Sequence, residues 1–322
     1  MSDAMDELPQ APGVVPVLPE PIASTDPGYA SNEPGYLWRP IEPPAPPPEL
    51  VQPPPPPKLI PHLGHVLVFI VLVIPALIGG YVVALVGIHL AQPHVALRSL
   101  MDQMGRNVIY AICMQAAIYG VLWALAALVF SLWWGRSFAK GIHWNLSVAL
   151  RRFWWLAMFG GVTGLAITLA GNFLPMPKAP PILEDLTKSA AGAWVLMVFG
   201  VTVAPITEEL AFRGFLLPSL VNFFRWLERK GAMAESTVRM VGVPLSIVLT
   251  SIPFAMLHAQ QVSGSWGPLL LIGLVSVVLC IVRLATDSVA ASFTVHACYN
   301  LTLFTGLLVQ TDGFKHLEKL KM

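Results

Sequence analysis

Residues 190–220 read AAGAWVLMVFGVTVAPITEELAFRGFLLPSL, an apolar run whose only charged side chains are Glu208, Glu209 and Arg213. The run is longer than the roughly 20 apolar residues that an α-helix needs to cross a bilayer. A charged side chain at the bilayer centre costs at least about 2.5 kcal/mol, so charges kept at that depth mark a functional site by default. This stretch therefore predicts a membrane-spanning helix and a site on that helix.

The composition of the whole chain is that of a membrane protein. Of its 322 residues, 55% are hydrophobic and 11% are charged, whereas soluble domains carry roughly 25% charged residues. Apolar segments of spanning length recur near residues 65–90, 107–134, 153–174, 191–217, 241–258, 267–284 and 288–309. We predict an all-α fold, a polytopic membrane helix bundle with seven or eight transmembrane helices.

A proline-rich segment precedes these helices. Residues 1–61 contain 19 of the 30 prolines, and a segment of this kind forms neither a helix nor a central strand. We predict a disordered tail there, which serves as a flexible spacer or binds a proline-reading partner. The predicted organisation continues with N-terminal transmembrane helices at 62–189, a membrane core at 190–309 and a short C-terminal tail at 310–322.

Charge and cysteine patterns argue against other classes of protein. No block of Lys and Arg interleaved with aromatic residues suggests a nucleic-acid surface, so we expect no nucleic-acid partner. Cys113, Cys280 and Cys298 are far apart in apolar stretches, which fits neither a disulfide framework nor a CxxC metal site. The basic loops 135–152 and 218–240 are expected to face the cytoplasm.

Helical geometry separates the three charges of the opening stretch. Glu209 and Arg213 are i, i+4 neighbours, close enough to form an ion pair that reduces the cost of burying both charges. Glu208 points about 100° away from Glu209 on the helix. We predict that Glu209 and Arg213 support each other and that Glu208 faces the bundle as a general base. The alternative is a structural charge cluster that only fixes helix packing.

Two more polar pairs lie in apolar segments. Phe254 and His258 share a helix face at i, i+4, and so do His296 and Asn300. A lone histidine on an apolar helix is more often a satisfied core residue, but two histidines with an amide and a carboxylate pair can form one site. Such a set supplies a base for water, imidazoles for hydrogen bonding or metal ligation, and an oxyanion donor.

Three motifs, in this order, resemble those of the CAAX protease and bacteriocin-processing family of intramembrane proteases: Glu208-Glu209-xxx-Arg213, Phe254-xxx-His258 and His296-xxx-Asn300. The resemblance extends over about residues 190–308. It implies that 190–309 is the catalytic core of an integral, multi-pass protein of a bacterial cytoplasmic membrane. It also implies an intramembrane endopeptidase that contacts membrane lipid and cleaves a peptide or protein substrate, which can be lipidated.

The resemblance implies a role for each motif residue. Glu208 would activate the attacking water with the help of His258, and His296 and Asn300 would hold the oxyanion of the tetrahedral intermediate. Three further side chains would support the site: Glu209, Arg213 and Phe254.

The need for a cofactor stays open at this point. The family has been described both as metalloproteases and as glutamate-dependent proteases without a catalytic metal. Zinc is compatible with Glu208, His258 and His296 as ligands, whereas the lack of an HExxH motif favours a site without an obligatory metal.

A second class of function is a non-catalytic polytopic membrane protein, such as an immunity factor, a scaffold or a transporter. No fixed-period internal repeat is visible, which disfavours a transporter built from inverted halves. A Cys–His dyad is disfavoured because the side chains of Cys298 and His296 diverge by about 200° on a helix. Asp287 is expected to form a solvated pair with Arg283.

Overall fold

A computed structural model describes residues 59–177 and 189–320. The predicted disordered tail lies outside the described residues, except for its last three positions. The regular structure of the described residues is all helical, with 13 α-helices and no strand in these two ranges. The helices are α1 (Leu63–Ala91), α2 (Leu97–Gln103), α3 (Val108–Trp134), α4 (Phe138–Gly141), α5 (Leu146–Arg151), α6 (Phe153–Gly171), α7 (Ala190–Val201), α8 (Val203–Glu209), α9 (Leu217–Arg229), α10 (Glu235–Thr237), α11 (Val243–Leu257), α12 (Trp266–Thr286) and α13 (Val289–Gln310).

Seven helical segments among the described residues are long and apolar enough to cross a membrane. Five of these segments are single helices: α1, α3, α6, α12 and α13. The other two are continuous composites, Ala190–Arg229 and Glu235–Leu257. The predicted all-α membrane bundle is therefore confirmed, with seven spans.

The outer surface of the bundle is apolar. Large hydrophobic side chains such as Leu132, Trp154 and Val309 are mostly exposed, whereas the fully buried set includes Glu209 and Arg213. A soluble protein buries its apolar side chains, and a chain in lipid has no need to do so. This inversion places the charged site inside the bundle and the apolar faces towards lipid.

Two π-helical turns interrupt the composite spans, and each one ends two residues before a proline. The first is Leu210–Leu216, followed by Leu217-Pro218, and the second is Val238–Gly242, followed by Val243-Pro244. Proline has no N–H, and its ring crowds the carbonyl four residues earlier. The helix widens there, so the N–H of Leu217 donates to the carbonyl of Phe212, five residues back.

Glycines set the closest helix contacts. A Cβ atom at Gly160 of α6 would lie 2.5 Å from the carbonyl oxygen of Val295 on α13, and one at Gly164 would lie 2.9 Å from Cβ of Thr302. Gly80 of α1 similarly faces the backbone of Ile118 on α3. Small residues allow helices to approach this closely in membrane bundles, and these approaches hold α13, which carries His296, against α6.

We expect Gly160→Ala to lower the apparent Tm of the detergent-solubilised protein. The added methyl group would force α6 and α13 apart, and overpacking of this kind costs about 1–3 kcal/mol. The matched control is Gly120→Ala on α3, where an added Cβ meets nothing within 4 Å. That change should leave the Tm equal or higher, because alanine favours the helix. Equal losses in both variants would contradict the close-packing account.

Candidate active site

A fully buried ion pair lies at the centre of the site. Nη1 of Arg213 donates to Oε1 of Glu209 at 3.0 Å, and both side chains have 0% exposure. Nη2 of Arg213 donates to the backbone oxygen and to Oγ of Ser276 on α12, at 3.0 and 2.8 Å. The predicted pairing of Glu209 with Arg213 is therefore present, and it is tied to a second spanning helix.

Phe254 covers the ion pair. The guanidinium carbon of Arg213 lies 4.5 Å from the centre of the Phe254 ring, within the range of a cation–π contact. The same ring lies 5.1 Å from the Phe212 ring and 5.1 Å from the imidazole of His258. Phe254 thus holds α11 against the ion pair and separates the guanidinium from the histidine side of the site.

Glu208 faces two imidazoles instead of a cation. Its Oε1 lies 3.8 Å from Nε2 of His258, and its Oε2 lies 3.7 Å from Nε2 of His296. Both separations are too long for a direct hydrogen bond. The Glu208 side chain is 21% exposed, in contrast to the fully buried Glu209 next to it. The two adjacent carboxylates therefore lie in different environments, as helical geometry predicts.

Both histidines are oriented through their other ring nitrogen. Nδ1 of His258 lies 2.9 Å from the carbonyl oxygen of Phe254, and Nδ1 of His296 lies 2.9 Å from Oε1 of Glu209. A carbonyl and an ionised carboxylate only accept hydrogen bonds, so each Nδ1 donates. The Nε2 atom of each ring is consequently the one that faces Glu208.

Asn300 has a different set of contacts. Its Nδ2 donates to the carbonyl oxygen of Gly200 at 2.7 Å, beside the break between α7 and α8 at Thr202. Within the described part of the chain, no hydrogen bond connects Asn300 to Glu208, His258 or His296. The amide anchors α13 to this break, and one of its two N–H donors stays available for another acceptor.

The structure thus brings together Glu208, His258 and His296, with three supporting side chains around them: Glu209, Arg213 and Phe254. Sequence reasoning missed Ser276, the anchor of Arg213. It also missed Tyr119 of α3, whose hydroxyl accepts a hydrogen bond from Gln115 and lies within electrostatic reach of the Glu208 carboxylate. Neither residue belongs to a polar pair in the sequence, so only the packing of helices could reveal them.

The donor set does not form a metal centre in the described residues. No group of three or more His, Cys, Asp or Glu side chains in 59–177 and 189–320 has an arrangement that could hold a metal ion. Although Glu208, His258 and His296 offer the donor types that zinc takes, their present spacing does not enclose an ion.

The fold and the site together define a multi-pass integral membrane protein with a carboxylate–imidazole site inside its helix bundle. Residues 190–302 match the family model described as "Type II CAAX prenyl endopeptidase Rce1-like". This match confirms the resemblance of residues 190–302 to the CAAX protease family that the three motifs indicated. No curated protein and no solved structure matches the chain.

The two adjacent carboxylates should respond differently to the same change. Glu209→Gln leaves the buried guanidinium of Arg213 without its counter-charge, and breaking a buried pair costs about 3–5 kcal/mol. Glu208→Gln removes a charge that is partly exposed and has no direct hydrogen bond. We expect the apparent Tm in detergent to fall strongly for Glu209→Gln and little for Glu208→Gln. A larger fall in Tm for Glu208→Gln than for Glu209→Gln would contradict the assignment of Glu209, and not Glu208, to the buried ion pair.

Proposed function

We propose that this protein is an intramembrane endopeptidase in which Glu208 activates water for attack on a peptide bond. The observation that carries the proposal is the position of the Glu208 carboxylate between Nε2 of His258 and Nε2 of His296, at 3.8 and 3.7 Å. A carboxylate that is neither neutralised by a cation nor bonded directly to its neighbours is available to accept a proton.

The proposed reaction begins with general-base catalysis. Glu208 takes one proton from water, the water oxygen attacks the carbonyl carbon, and the C=O double bond becomes a C–O⁻ single bond. His258 positions the water through Nε2, because its Nδ1 is fixed on the Phe254 carbonyl. The C–N bond then breaks, and the proton held by Glu208 passes to the leaving nitrogen. Atoms and charge balance over the cycle, and Glu208 returns to the carboxylate.

We assign the oxyanion to His296 and Asn300. Nδ1 of His296 already donates to Glu209, so Nε2 donates to the oxyanion in the form of the ring that carries a hydrogen on both nitrogens. The N–H of Asn300 that is not bonded to Gly200 supplies a second donor. Preorganised donors in a site that excludes water stabilise an oxyanion far more than the same groups do in solution.

Glu209, Arg213 and Phe254 act through the other side chains. Glu209 orients His296, Arg213 supplies the counter-charge of Glu209 in apolar surroundings, and Phe254 covers the Arg213 guanidinium. The proposed substrate is a peptide or protein segment, either lipidated or unmodified, that enters the site from membrane lipid. The proposed location is a bacterial cytoplasmic membrane. The proline-rich tail is proposed as a spacer or as a ligand for a proline-reading partner.

The proposed base is tested by Glu208→Gln in the purified full-length protein. General-base catalysis contributes about 10²–10⁴-fold, so we expect kcat to fall by that factor on a quenched peptide that ends in a prenylated CAAX-type sequence. The matched control is Glu235→Gln, which removes a carboxylate in an exposed i, i+4 pair with Arg239 and should leave kcat unchanged.

Two results would contradict this scheme in different ways. Cleavage by Glu208→Gln at the wild-type rate would remove Glu208 from the role of base. Failure of the folded wild-type protein to cleave either prenylated or unmodified peptides would favour the second class of function, a non-catalytic membrane protein that uses the same charges for packing.

A further inference from the structure

The backbone carbonyl of Arg213 lacks both the α-helical and the π-helical donor of its own helix. Its α-helical donor would be the N–H of Leu217, but in the π-turn that N–H donates to the carbonyl of Phe212. Its π-helical donor would be residue 218, which is a proline without an N–H. A buried carbonyl left without a donor is costly, and more so in a membrane interior. A donor from another part of the chain is therefore required.

Arg283 of α12 supplies that donor. Its Nε donates to the carbonyl oxygen of Arg213 at 3.2 Å across 70 residues of sequence. The Arg283 side chain is only 6% exposed, so the expectation of a solvated pair with Asp287 is wrong for the arginine. The pair itself is present, with Nη1 of Arg283 2.9 Å from Oδ1 of Asp287.

Asp287 is held in turn by the segment between α4 and α5. Nδ1 of His143 lies 2.8 Å from Oδ2 of Asp287, and the Asn145 side chain donates to the Asp287 backbone oxygen. The N–H of Val289 donates to the carbonyl of His143 at 3.0 Å. Burial raises the pKa of the Asp287 carboxyl, but its hydrogen bonds to His143 and Arg283 outweigh burial, so the net pKa is lowered. An ionised Asp287 keeps the guanidinium in place.

His143 and Asp287 both adopt left-handed backbone conformations, with φ of 60° at His143 and 46° at Asp287. A non-glycine residue is uncommon in that region and persists only when its surroundings hold it there. The strained backbone therefore occurs at Asp287, which contacts Arg283, and at His143, which contacts Asp287.

We propose that Arg283 is a positioning residue of the site: it replaces the backbone donor that Pro218 lacks and so fixes the π-turn between Glu209 and Leu217. That turn carries Arg213, whose guanidinium holds Glu209, and Glu209 in turn orients His296. The catalytic consequence rests on the proposed function, whereas the replacement of a missing donor does not.

A double-mutant cycle in the full-length protein isolates this interaction. Pro218→Ala restores an N–H that can donate to the Arg213 carbonyl, so Arg283 should matter less in that background. We expect Arg283→Met to lower the apparent Tm in detergent, and to lower it less when Pro218→Ala is present. Loss of the Asp287 partner occurs in both backgrounds and cancels. Equal Tm losses in the two backgrounds would overturn the proposal.

If Arg283→Met alone does not fold, the same cycle is scored by recovery of folded protein. Recovery on addition of Pro218→Ala supports donor replacement, and no recovery overturns it. Arg239→Met is the control for loss of an arginine, since Arg239 is an exposed partner of Glu235, and its effect should be the same with or without Pro218→Ala. A background-dependent effect of the control would overturn the assignment to Arg283.

The positioning role has its own readout in catalysis. A displacement of about 1 Å in a site can cost about 10²-fold in rate, so Arg283→Met in the Pro218→Ala background should recover kcat that Arg283→Met alone loses, with KM unchanged. Unchanged kcat in Arg283→Met, with the wild type active, would overturn the positioning role. If the wild type does not cleave while the Tm cycle shows coupling, the proposed function fails and the donor replacement stands.

Discussion

The ion pair between Glu209 and Arg213 is the interaction on which the rest of the core depends. Either charge alone would be very costly among apolar helices, so each one requires the other. The pair also requires acceptors and donors from its neighbours, because its remaining polar atoms need partners as well. Ser276 of α12 accepts from Nη2 of Arg213, His296 of α13 donates to Oε1 of Glu209, and Phe254 of α11 covers the guanidinium, while Oε2 of Glu209 and Nε of Arg213 are buried without a hydrogen-bond partner among the described residues. This one ion pair thereby contacts three other helices, α11, α12 and α13, and fixes their positions around the site.

The same pair explains how adjacent carboxylates come to differ. Glu208 and Glu209 are consecutive, yet their side chains leave the helix about 100° apart. Glu209 meets a guanidinium and an imidazole at hydrogen-bonding distance, whereas Glu208 meets only the Nε2 atoms of two histidines at longer range. Environment, and not residue type, separates a structural carboxylate from one that can accept a proton.

Local irregularities of the backbone are compensated from elsewhere in the bundle. Pro218 widens the helix into a π-turn, and Arg283 supplies the donor that the proline lacks. The break at Thr202 lies beside the carbonyl that Asn300 binds. Lipid offers no hydrogen bonds, so such departures from regular helix persist only where protein groups satisfy the backbone.

The sequence by itself determined the all-α membrane class, the approximate positions of the apolar spans, whose number it left at seven or eight, and the pairing of Glu209 with Arg213. Hydrophobic length and the 3.6-residue helical period are local properties, and those calls depend on nothing else. The order of the three motifs also indicated the family resemblance.

Only the tertiary structure decided that Ser276 and Arg283 hold the π-turn that carries Arg213, that the Nε2 atoms of both histidines face Glu208, and that Asn300 binds the Gly200 carbonyl. These contacts join residues 63 to 100 positions apart or depend on which ring nitrogen is tied down, and a single sequence has no periodicity that records how separate helices pack.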